Sequence, residues 1–198
     1  MNRQELRTSI AVGLLYLIRM MGLFMVIPVL PLASDEFKLS TTFLIGFAIG
    51  IHGLTQGLLQ IPFGMLSDRV GRKKIIAMGL VLFTMGSFIA AVAENVYWLI
   101  VGRALQGCGA IASTLLALVS DLTRVEQRTK SMALIGAAIA SSFGLALLIG
   151  PILFNLYGAK SLFIFSVISG LIGLWILSTV IPSPVILSQN LDLKFQLT

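Results

Sequence analysis

Six apolar runs constrain this chain more than anything else in its sequence. Residues 10–32, 43–66, 75–93, 97–118, 132–154 and 162–181 are each about as long as a helix must be to cross a bilayer, and together they fill about two thirds of the chain. Backbone groups in lipid have no water to bond, so runs of this length fold as helices that satisfy their own N–H and C=O groups. Strands of a barrel would be about half as long and would alternate in polarity. A soluble domain carries roughly 25% charged residues; this chain has 11%, too few to clothe a water-facing surface. The expected fold class is therefore an all-α membrane protein of six transmembrane helices. The bundle is expected over residues 1–182, with a cytoplasmic tail over 183–198. Within the tail, Leu191, Leu193, Phe195 and Leu197 alternate with polar residues as a strand would. One strand has no sheet to join, so a poorly ordered tail is expected.

The charges between the runs set an orientation. Arg3, Arg7, Arg69, Arg72, Lys73, Lys74, Arg124, Arg128, Lys130 and Lys194 fall on one side, against Lys38 and Lys160 on the other. The positive-inside rule places both termini in the cytoplasm, in a multi-pass protein of the cell (inner) membrane. Topology thus accounts for ten of the fourteen basic residues behind the net charge of +6, and no nucleic-acid partner is expected. Tyr97, Trp98 and Tyr157 fall at outer helix ends, as an aromatic belt requires. The first run is too long for the apolar core of a signal peptide, and Arg19 interrupts it, so it reads as a retained helix. The single cysteine, Cys108, excludes an internal disulfide, and the single histidine, His52, excludes a multi-histidine metal cluster. There is no G-x-S-x-G pentapeptide for a serine nucleophile and no acidic cluster for phosphoryl transfer. Neither an enzyme nor a cofactor is expected.

The loop from Gly64 to Lys74 carries charges set against the helix dipoles. Asp68 closes one helix, where a negative charge is unfavourable, and Lys73 and Lys74 open the next, where positive charge is unfavourable. Asp121 stands at another cytoplasmic helix end with the same conflict. Arg72, turned back by a flexible Gly71, would satisfy both acids if it lay between them. The alternative is a solvated loop with surface pairs worth about 0–1 kcal/mol each.

This loop resembles the signature loop of the major facilitator superfamily, G-x-L-a-D-r-x-G-r-k, through Gly64, Leu66, Asp68, Arg69, Gly71, Arg72 and Lys73. Leu99, Arg103, Gln106, Gly107, Gly109 and Ala110 match the fourth-helix motif of the same family. Gly22 to Pro31 resembles the first-helix motif of its drug:proton antiporter branch. Gly150 and Pro151 match part of the fifth-helix antiporter motif g-x-x-x-G-P-x-x-G-G, in which Ala146, Phe154 and Asn155 replace three glycines. The run from about Arg19 to Pro151 is similar to the YajR-type transporters. The resemblance implies the amino-terminal six-helix half of a major facilitator fold, built as two inverted three-helix repeats. It further implies proton-coupled efflux of small amphipathic compounds by alternating access. The expected partners are the lipid bilayer, protons, a small-molecule substrate, and a second six-helix half or a homodimer partner. The alternative is a truncated half-transporter, a fragment or assembly partner that keeps the fold without transporting by itself.

Ionisable residues inside a membrane start as functional candidates, because a charge at mid-bilayer costs at least ~2.5–3.5 kcal/mol. Arg19 lies ~13 Å into the first run and Arg103 ~9 Å into the fourth, at 1.5 Å per residue. The resemblance places both in the central cavity, with Gln106 and Gly107, in a gating or coupling role. The competing reading is that each arginine holds backbone carbonyls or glutamines of neighbouring helices. His52 shares a helical stripe with Gln56 and Gln60; it reads first as a hydrogen-bonded structural histidine and second as a proton site. Gly46, Gly50, Gly53 and Gly57 lie on one face of the second helix, where small residues suit close helix packing. Gly150-Pro151, with Pro28, Pro31 and Pro62, suits bent helices.

Overall fold

A computed structural model describes residues 1–181; the tail expected over residues 183–198 lies outside the described residues. The helices are α1 (Arg3–Val29), α2 (Thr42–Val70), α3 (Arg72–Ala91), α4 (Val96–Cys108), α5 (Ala112–Leu122), α6 (Arg128–Tyr157) and α7 (Lys160–Thr179). They form six membrane-spanning segments, because α4 and α5 together make the fourth. No β-sheet occurs among the described residues; one isolated bridge joins Lys38 to Asn95.

The interruption at 109–111 departs from the unbroken helix expected over 97–118. Gly109 takes a non-helical conformation at the end of α4, and its N–H bonds only to the Gln106 carbonyl, at 3.3 Å. Hydropathy was blind to this break, since Gly109, Ala110 and Ile111 are as apolar as their neighbours. The other spans run unbroken even where Pro28, Pro62 and Pro151 lie inside them.

The packing shows the repeat. α1 packs against α6 and α7, α3 against α4 and α7, and α2 against α4. Exchanging the first span with the fourth, the second with the fifth and the third with the sixth leaves this pattern unchanged. An odd number of spans per repeat makes the second repeat enter the bilayer from the opposite side, so the two are inverted copies. The first and fourth spans bury 56% of their apolar windows, while α2 and α6 bury only 17% and stand at the rim. Two apolar clusters fill the interior. One contains Met25, Leu30, Phe37, Leu99 and Phe163, the other Leu15, Leu80, Ile111, Leu115 and Ile176. Arg19, Arg103 and Gln106 lie between the two in sequence on α1 and α4, and all three are buried.

The glycine contacts correct one expectation. A Cβ at Gly46, Gly50, Gly53 or Gly57 would meet nothing within 4 Å, so no helix packs closely on that face among the described residues. Periodicity identifies a face but not its partner. Close packing occurs instead between α3 and α4, where a Cβ on Gly102 would sit 2.7 Å from the Ala90 nitrogen and 2.8 Å from the Gly86 oxygen. A Cβ on Gly107 would collide with the His52 carbonyl and the Thr55 hydroxyl, which brings α4 against α2. Gly102→Leu should therefore lower stability in detergent by about 1–3 kcal/mol or more, by forcing two backbones apart. Gly50→Ala should stay within about 1 kcal/mol of the parent. Thermal unfolding of the two variants side by side checks this, and equal midpoints would refute it.

Candidate functional site

The centre of the bundle is organised around two guanidinium groups with no carboxylate near them. All eight acidic residues of the chain lie outside the apolar runs. A buried cation must then be held by neutral acceptors, such as backbone carbonyls and side-chain amides. Arg19 on α1 is 4% exposed, and its Nη2 donates to the Gly109 carbonyl at 2.5 Å. The guanidinium carbon stands 5.5 Å from the centre of the Phe83 ring, within cation–π range. Tyr16, one turn earlier, donates its hydroxyl to the Ala112 carbonyl at 2.5 Å. One face of α1 thus bonds a carbonyl on each side of the break in the fourth span.

Arg103 on α4 is fully buried. Its Nε donates to the Ala48 carbonyl of α2 at 3.3 Å, and its Nη1 donates to Gln106 Oε1 at 2.5 Å. Gln106 Nε2 donates in turn to Ser87 Oγ at 2.8 Å, and Ser87 Oγ donates to the Phe83 carbonyl at 2.7 Å. A chain of hydrogen bonds therefore runs from α2 through α4 into α3. Gly107 follows Gln106 and lets α2 approach. Beside these groups a groove of about 320 Å³ opens between α1, α2 and α4, and His52, Gln56, Gln60 and Arg103 line it.

The second assembly lies at the far end of α2. Gly71 has φ of +109°, a conformation open to glycine, and turns the chain sharply from α2 into α3. The turn brings Arg72 Nη1 to 2.5 Å from Asp68 Oδ1, and Arg72 Nε to 3.0 Å from Asp121 Oδ2. Arg72 also donates to Ser67 Oγ at 2.7 Å. Lys73 Nζ donates to the Ile181 carbonyl at 2.7 Å, which ties the start of α3 to the end of the sixth span. Arg69 is exposed and stands outside these bonds, while Gly64 faces Ser113 of α5, whose oxygen would lie 3.3 Å from an added Cβ. Gly150 and Pro151 belong to neither assembly; Gly150 sits against Met25 of α1.

Sequence reasoning missed Tyr16 and the ion pair between Glu5 and Arg124. Glu5 stands on the polar first turns of α1, ahead of the apolar run that begins at Ile10. Its Oε1 lies 2.8 Å from Arg124 Nε, and its Oε2 accepts from the Asn2 backbone N–H at 2.6 Å. The capping-box pattern of Asn2 and Glu5 was visible in the sequence, but Arg124 is remote in it. The Arg124 hydrogen bond, aided by the Asn2 N–H, draws the Glu5 carboxyl from its ordinary 4.5 down to about 2. A lowered carboxylate contributes its stability above the ordinary value and loses it as pH falls through the lowered one. Glu5→Gln should thus be less stable than the parent near neutral pH, with the gap closing between about pH 4.5 and 2. Unfolding midpoints across that window check it, and a gap that persists unchanged at the acid end would refute it.

The sequence profile of the Major Facilitator Superfamily matches residues 12–193. The chain is 45% identical over 183 residues to the inner membrane transport protein YajR of Escherichia coli (strain K12), a match covering 92% of this chain and 40% of the relative. It is 31% identical over 153 residues to multidrug resistance protein 1 of Bacillus subtilis (strain 168), covering 76% of this chain and 38% of that one. The chain spans about half the length, or less, of the curated relatives it matches. Among solved structures, the human organic anion transporter MFSD10 superposes with a TM-score of 0.78 at 19% identity, over 91% of this chain and 48% of the other, a likeness of fold.

Proposed function

The chain belongs to the major facilitator superfamily, and from that premise we propose that it is the amino-terminal half of a secondary active transporter that exports small amphipathic compounds by proton-coupled alternating access. Its family is one of membrane transporters, so the chain is a module of that kind and not an enzyme. The observation that carries the reading is the interrupted fourth span with Arg19 bound to the buried Gly109 carbonyl at the break. Transporters of this kind place substrate and coupling sites at broken helices near mid-membrane, between inverted repeats. Arg19, Arg103, Gln106 and Gly107 are the cavity or coupling residues in this proposal. The clasp of Asp68, Arg72 and Asp121 is a cytoplasmic latch that holds one state of the cycle. Gly64, Arg69, Gly71 and Lys73 shape that loop, and Gly150-Pro151 bends the fifth span. His52 is a secondary candidate for carrying protons. Both termini are cytoplasmic in this reading, and the membrane is the inner membrane.

Two faces also bear on the second reading, a truncated half that keeps the fold but does not transport by itself, as a fragment or assembly partner. Phe43, Leu58 and Ile61 of α2 and Leu148, Ile152 and Leu156 of α6 are exposed. In this reading a complementary six-helix half or a second copy of the chain would cover them.

Proteoliposomes holding the chain alone, or with the carboxyl-terminal half of a full-length relative, test the proposal. A proton gradient should drive export of an amphipathic dye, and Arg103→Gln should cut the rate at least about tenfold, the cost of one lost charge-assisted hydrogen bond. Export that ignores the gradient or the substitution would refute proton coupling at this site. Export by neither preparation, with the fold intact, supports the second reading. Orientation is checked with single cysteines at positions 38 and 73 in a Cys108→Ser background. Impermeant reagent should label position 38 from outside the cell and leave position 73 untouched; the reverse would invert the topology.

A further inference from the structure

The groove between α1, α2 and α4 has an unusual balance of chemistry. One wall is apolar, with Leu23 and Ile27. The opposite wall is a ladder of His52, Gln56 and Gln60 at four-residue spacing on α2, with Arg103 behind it. Gly53 and Gly57, on the same stretch, leave open space where side chains would stand. His52 is 3% exposed, yet its Nδ1 has no hydrogen-bond partner. A buried polar nitrogen without a partner is destabilising, and a ligand that bonds it recovers that cost. The volume of about 320 Å³ falls at the small end of ligand sites.

The charge decides the class of ligand. Arg103 contributes a fixed positive charge, and the chain has no acid in the apolar runs to offset it. The glutamine amides and the imidazole supply neutral donors. A positive centre with amide donors beside an apolar wall fits a head that accepts hydrogen bonds and carries negative charge, on an apolar body. An organic cation in the same place would face a like charge at low dielectric.

We propose that this groove is a binding subsite for amphipathic monocarboxylates: Arg103 supplies the attraction, Gln56, Gln60 and His52 bond the head, and Leu23 and Ile27 hold the apolar body. The assignment rests on the transporter reading for its role in a cycle, but not for binding itself.

His52 is the chain's single histidine, so its ring nitrogens give a reporter that needs no assignment. The full 198-residue chain, labelled with ¹⁵N-histidine in lipid nanodiscs, is titrated with three ligands on one naphthyl body: 1-naphthylacetate, its neutral amide, and naphthylmethyl-trimethylammonium. The carboxylate should shift the His52 ring signals saturably, the amide should bind roughly tenfold more weakly, and the ammonium should produce no saturable shift. Gln56→Leu should weaken the carboxylate by about tenfold, and Gly53→Leu, which fills the groove, should abolish the shift. Folding of both variants is verified by gel filtration and circular dichroism. Equal shifts from all three heads, tighter binding of the ammonium, or no saturable shift from the carboxylate would each overturn the proposal. The wild-type titration decides even where a variant does not fold. Carboxylate binding without transport in any preparation removes the transporter reading and leaves the subsite; dye export with His52 unperturbed by carboxylate does the reverse.

Discussion

A positive charge in the apolar layer must find electrons to bond, and no acid is within reach to supply them. That requirement explains the form of the bundle centre. An unbroken α-helix uses every interior carbonyl on its own N–H groups. Arg19 is held by the Gly109 carbonyl, which the break at 109–111 takes out of the helical ladder of the fourth span. Arg103 meets the same requirement differently, through the side chain of Gln106 and a carbonyl of α2. Both solutions cross between helices, so satisfying the charges also joins α1, α2, α3 and α4. The electrostatic cost and the tertiary fold are a single problem here.

Close backbone contact makes those bonds possible. The bond from Gln106 to Ser87 requires α3 and α4 to lie together, and Gly86 and Gly102 permit it. The bond from Arg103 to Ala48 requires α2 to lie against α4, and Gly107 permits that. Lipid offers little hydrophobic drive for helix association, so small residues and interhelical hydrogen bonds must supply it. The motif that joins Arg103, Gln106 and Gly107 therefore places the polar groups and the gap they need in one stretch.

Bilayer thickness made the spans legible, because it sets one length for every crossing and hydropathy reports it directly. The juxtaposition of Arg72 with Asp68 and Asp121 was legible as well, since charges placed against helix dipoles call for partners. Other features depended on contacts that no local pattern encodes. Glu5 and Arg124 lie 119 residues apart. The glycines of α2 share a face by period alone, and the period says nothing of what lies opposite. The break at Gly109 is apolar throughout, and its reason for existing, Arg19, stands on a different helix. The two readings of the buried arginines, carbonyl anchors or coupling groups, were not exclusive: their carbonyl bonds are now explicit, and the groove beside Arg103 is the place where a further role would act.

The bond from Arg19 to Gly109 joins residues 90 positions apart, and it has a consequence for how the protein is made. Synthesis runs from the amino terminus, so the first span reaches the bilayer well before Gly109 has been translated. During that interval its guanidinium has no carbonyl to bind and must stay hydrated, or lean toward the interface along its flexible stem. Only the arrival of the fourth span lets the charge move inward and the first helix settle at its final depth. Insertion of the early spans is therefore provisional, and the second repeat completes the first as well as itself.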